Sequence, residues 1–101
     1  MPAYAVFIRE NTRDEAEMEQ YLAKSKGSAQ PFGVKPLAFY GRMRSLEGAA
    51  PEAVVVVEFP TFEDAEAWYE SDAYREARKH RHLGADYRAL IVEGLPSRKP
   101  D

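Results

Sequence analysis

Residues Ser71 to His82, SDAYREARKHRH, carry both histidines of this 101-residue chain, His80 and His82, on either side of Arg81. On a helix, residues i and i+2 point about 200° apart, so the two imidazoles cannot serve one metal site while the helix stays regular. No metal site is expected here. A semi-buried arginine needs an anionic partner, supplied by the protein or by a ligand. Arg81 shares a helical stripe with Tyr74, and Arg81, Tyr69, Tyr74 and Arg42 are the candidates for holding a small acidic or aromatic metabolite. Glu58 follows four valines. Facing inward it could act as a general base or pair with Arg81 or Arg42, with His80 as a second proton carrier. Ser71 reads as a helix cap, because no elbow or triad motif supplies it with a base. The plainer account of Lys79 to His82 is a basic last turn that complements the helix dipole.

Composition narrows the chemistry further. Seventeen acidic residues against 14 basic ones give a net charge of -3, which lacks the basic field that nucleic acid or an anionic membrane would require. There are no cysteines, which excludes disulfides and thiolate chemistry. The GxGxxG, P-loop and HExxH patterns are absent, so no nucleotide cofactor and no zinc hydrolase chemistry are expected, and no other cofactor is implied. MPAYAVFIRE has no leader-like pattern and no apolar run approaches the roughly 18 residues of a membrane span. A cytoplasmic protein is expected.

The elements that must position these residues follow from periodicity. AYAVFI, Ala3 to Ile8, reads as a strand covered on both faces. Thr12 and Glu15 have capping-box spacing, which starts a first helix at Thr12 with Met18, Leu22, Ser25 and Ala29 on one stripe. LAFYGRM, Leu37 to Met43, is a second strand, with Gly41 marking a bulge or close backbone approach. AVVVVEF, Ala53 to Phe59, is the clearest strand and should be central. Thr61 caps a second helix that bends or restarts near Ser71 and Asp72, and Gly84 releases the chain into a last strand, YRALIVEG.

This order, strand–helix–strand–strand–helix–strand, is that of an α+β, ferredoxin-like βαββαβ fold: a four-stranded antiparallel sheet with two helices on one face. Residues 1–95 form the expected single domain, and 96–101, rich in Pro and charge, a flexible tail. Two helices cover one face only. The bare face, built from alternate residues of the central strands, implies a homodimer with sheets packed face to face.

The chain resembles the DUF1330 domain family of the dimeric ferredoxin-like (α+β barrel) superfamily. The resemblance is carried by PAY at Pro2 to Tyr4, Leu46, Glu47 and Gly48, EFP at Glu58 to Pro60, Ala65 to Tyr74 (AEAWYESDAY), Arg81, and VEG at Val92 to Gly94. It implies a compact dimer of βαββαβ subunits, each with a cleft between helices and sheet, and an arginine at the position of Arg81. The superfamily includes cofactor-free monooxygenases of polycyclic aromatics, haem-degrading enzymes, muconolactone-isomerase-like enzymes and ligand-binding regulatory domains, so it supplies a fold rather than a reaction. No haem-ligand pattern is present.

Two functional classes follow. One is a cofactor-independent acid–base enzyme, performing isomerase, lactone or monooxygenase-like chemistry, with Arg81 holding a carboxylate or enolate and His80 or Glu58 moving a proton. The other is a non-catalytic dimeric module that binds a metabolite in the same cleft or is purely structural.

Overall fold

A computed structural model describes residues 1–96. The expected tail thus lies, from Ser97 onward, outside the described residues. The element order is β1 (Ala3–Thr12), α1 (Glu15–Ser25), a 3-10 turn (Gln30–Phe32), β2 (Lys35–Phe39), β3 (Ala53–Phe59), α2 (Phe62–Tyr69), α3 (Asp72–Gly84) and β4 (Ala85–Glu93). The strands form one antiparallel sheet in the order β2-β3-β1-β4. The two most apolar strands are therefore the central pair. Ala5 stands between Val57 and Ile91, and Phe7 between Val55 and Ala89.

Alternation along the strands divides the sheet into two unlike faces. Ala3, Ala5, Phe7, Val55 and Phe59 are buried beneath the helices, where they meet Met18 and Tyr21 of α1, Ala65 and Trp68 of α2, and Tyr74 and Ala77 of α3. The opposite face carries Tyr4, Val6, Ile8, Val54, Val56 and Glu58, all half-buried, beside the exposed Leu90 and Val92. No helix covers it.

The second helical segment is two helices, making three α-helices among the described residues. Thr61 caps α2: its hydroxyl oxygen accepts from the Asp64 N–H at 3.0 Å and donates to the Asp64 carboxylate at 2.9 Å. Ser71 then ends one helix and starts the next. Its hydroxyl donates to the Trp68 carbonyl at 2.7 Å and accepts from the Tyr74 N–H at 3.3 Å, so the interruption rotates the second half of the segment without leaving its end groups bare.

Two local expectations are corrected. Thr12 does not cap α1, because its hydroxyl donates to Glu52 Oε1 at 2.6 Å across the loop before β3. Asp14 takes the cap, accepting from the Ala16 and Glu17 N–H groups. The second strand lies earlier than LAFYGRM, ending at Phe39 because Tyr40 turns into the left-handed region at φ 55°. Its irregular register falls between Pro36 and Ala38, and Gly41 makes no close approach.

Arg13 joins the two halves of the domain. Its guanidinium donates to the carbonyls of His82, Leu83 and Ala85 and pairs with Asp86 at 3.0 Å. It occupies the end of α3, where carbonyls lack helical partners.

Candidate functional site

Between the helices and the helix-covered face of the sheet lies a cavity of about 490 Å³, within the range of small-molecule sites. Its walls come from every layer. Tyr21, Leu22 and Ser25 project from α1, Trp68 from α2, Tyr74 from α3, Phe7, Val55, Val57 and Tyr87 from the sheet, and Phe39 and Tyr40 from the end of β2. The turn between α1 and the 3-10 segment contributes Lys26 to Gln30. Gly27, at φ 76°, permits that turn. The turn is tied to the cavity wall by Trp68, whose indole N–H donates to Ser28 Oγ at 3.1 Å.

The aromatic side chains support one another. Trp68 stacks on Phe59 at 5.3 Å, and Tyr74 packs against Trp68 at 4.1 Å and Tyr69 at 5.6 Å between ring centres. The Tyr21 and Tyr74 hydroxyls share a 2.9 Å hydrogen bond. Burial pushes the pKa of both upward, most strongly for Tyr21, while the charge of Arg81 pulls each back. Burial likewise pushes Tyr87 upward, with Tyr40 adding to the shift, and its buried hydroxyl has no hydrogen-bond partner among the described residues.

Arg81 is 3% exposed, and among the described residues no carboxylate pairs with it. Its guanidinium lies 5.3 Å from the Phe7 ring centre and 4.9 Å from that of Tyr87. One Nη stands 3.4 Å from both the Tyr69 hydroxyl and His82 Nε2, and its Nε has no partner among the described residues. Arg81 therefore sits directly behind the cavity wall, held by ring faces.

Of the residues singled out in the sequence, the structure gathers Arg81, Tyr69 and Tyr74 at this wall. The other three lie elsewhere. His80 Nδ1 is 2.6 Å from Glu17 Oε2, at the seam of α1 and α3. Glu58 is on the opposite face of the sheet, between Tyr4 and Lys35 of the neighbouring strands. Arg42 is exposed in the segment after β2. Among the described residues no group of three or more His, Asp or Glu side chains is placed to hold a metal ion, and no helix is long and apolar enough to cross a membrane.

Sequence reasoning missed Tyr21, Trp68 and Tyr87 as wall residues. Tyr21 follows Met18 by three positions, a spacing that shares a helix face, and Tyr87 alternates with Ile91 on the helix-facing side of β4. These signals mark burial but not a cavity.

A family profile described as "Domain of unknown function (DUF1330)" matches residues 2–95. No curated protein matches the chain. Among solved structures, a protein of unknown function from Rhodopseudomonas palustris superposes with a TM-score of 0.70 at 21% identity, covering 95% of this chain and 84% of that one. A dimeric ferredoxin-like protein of unknown function from Jannaschia sp. CCS1 gives 0.71 at 11% identity, covering 93% and 100%. SnoaB, a cofactor-independent oxygenase from Streptomyces nogalater, gives 0.63 at 7% identity, covering 95% of each chain. At these identities the likeness is one of fold.

Proposed function

The chain belongs to the DUF1330 family, and from that premise we propose that residues 1–95 act as one domain, paired with a second copy, in which each subunit binds a small aromatic molecule in the cavity between helices and sheet. The observation that carries this reading is the cavity itself: about 490 Å³, walled by aromatic and aliphatic side chains with a few hydroxyls. Lys26 is its one charged lining residue, and its lining contains no His, Asp or Glu.

That composition favours binding over turnover, since the two proton carriers considered from the sequence, His80 and Glu58, lie outside the lining. Cofactor-independent acid–base chemistry is the second reading. It draws on Arg81, whose uncompensated charge would favour an anion formed from the bound molecule, and on the shared fold of the Streptomyces nogalater oxygenase.

Pairing is supported by the bare sheet face. Val6, Ile8, Val54, Val56, Leu90 and Val92 make it apolar, and a neighbour of the same fold is described as dimeric. A cytoplasmic setting goes with this proposal.

Trp68 is the only tryptophan and lines the cavity, so its fluorescence reports occupancy. Titration with naphthols and aromatic acids should quench it saturably, at one molecule per chain, with a matching rise in melting temperature. Unchanged emission and melting across the panel would refute the reading.

A further inference from the structure

The hydroxyls of Tyr21 and Tyr74 carry two protons but share one hydrogen bond, of 2.9 Å. One O–H is therefore left over. Arg81 stands behind the wall, its guanidinium 5.3 Å from the centre of the Phe7 ring and 4.9 Å from that of Tyr87, both lining residues. Either hydroxyl of the tyrosine pair can be the donor in the shared bond, and the other keeps its O–H free. Both residues line the cavity, so that donor is available to a molecule within it. Lys26 adds positive charge to the same lining, which contains no carboxylate.

Resting on the cavity being a binding site, we infer that the Tyr21–Tyr74 hydroxyl pair, backed by the buried Arg81 guanidinium, is an oxyanion-receiving corner, and that the preferred ligands are phenols bound as phenolates. A phenolate oxygen accepts the spare O–H of the tyrosine pair and brings negative charge towards a guanidinium that has no carboxylate among the described residues. Its ring meets the aromatic walls. A ligand without such an oxygen leaves the donor unmatched, which disfavours it.

The test uses 4-nitrophenol, whose neutral and ionised forms differ in visible absorption. A merely apolar cavity raises the pKa of a bound phenol by desolvation. The corner described above does the opposite, and the bound probe should titrate about one unit below the free probe, meaning about tenfold tighter binding of phenolate than phenol. Tyr21→Phe and Tyr74→Phe combined, and Arg81→Met alone, should each abolish the shift or reverse its sign. An unshifted or raised pKa in the unaltered protein overturns the inference, and that measurement decides even where a variant folds poorly. Folded variants that keep the full shift overturn the assignment to these residues. If 4-nitrotoluene binds and 4-nitrophenol does not, the corner falls and the cavity reading stands. If neither binds, both fall.

Discussion

The Arg81 guanidinium lies 4.9 Å from the centre of the Tyr87 ring and is the one buried charge among the described residues. A desolvated cation normally has a carboxylate beside it, because removing it from water costs several kcal/mol. Here aromatic faces compensate in part, by up to about 2 kcal/mol for a desolvated contact.

Arg81→Met, which removes the charge and keeps most of the volume, should leave stability within about 1 kcal/mol of the unaltered protein or raise it. Arg81→Ala adds a cavity and should cost about 2 to 5 kcal/mol. Lys79, exposed and paired only with Glu76, should tolerate Ala with a change under about 1 kcal/mol. Urea denaturation of the three variants checks the order. Equal effects would return Arg81 to the status of a solvated helix end.

The two faces of β3 should respond differently to charge. Val55→Lys places an ammonium in the core beside Phe7 and should cost about 4 kcal/mol or more. Val56→Lys faces away from the helices and should convert a particle of about twice 11.5 kDa into a folded monomer. Light scattering combined with circular dichroism separates these outcomes. A monomeric unaltered protein at micromolar concentration would remove the dimer.

Gly94 should not accept a side chain. A Cβ there would lie 2.6 Å from the Tyr4 ring and 3.2 Å from the Pro2 carbonyl oxygen. Gly94→Ala should therefore lower stability by about 1 to 3 kcal/mol, and Tyr4→Leu in the same chain should restore part of it. Thermal melting of the single and double variants measures the coupling.

His82 gives a pH signature. Burial, then the charges of Arg81 and Arg78, hold its imidazole below the ordinary value of 6.5. The unfolded chain therefore binds this proton more readily than the folded one. The contribution is present above pH 6.5 and is lost as pH falls through the lowered folded value. Melting temperature should fall more between pH 7.5 and 5.5 in the unaltered protein than in His82→Gln. Parallel profiles would show that His82 is not perturbed.

Much of the scaffold was legible because its signals are local. Four valines between Pro51 and Pro60 name β3, Thr61 caps the helix that follows it, and Ser71 marks the break with a side chain that bonds within three residues in either direction. Thr12 misled because its hydroxyl was taken by Glu52, 40 residues away. Periodicity cannot see that competition. The face of Glu58 was open for a related reason: a residue after four valines is central, but which face it occupies depends on register, and register placed it away from the helices. The cavity was least legible of all. Tyr21, Trp68, Tyr74 and Tyr87 come from four elements, and each alone looks like an ordinary core aromatic. Only packing shows that they leave space between them.

The Gly94 N–H donates to the Pro2 carbonyl at 2.7 Å, so the first and last sheet residues are neighbours although the whole domain separates them in the chain. Residues 41–50, by contrast, are exposed throughout. The order in which the strands are synthesised is therefore separable from the order in which they pair. A circular permutant that bridges Gly94 to Pro2 with a short flexible linker, and opens the chain between Leu46 and Glu47, would retain every sheet contact. It would also place β3, the most strongly patterned strand, first.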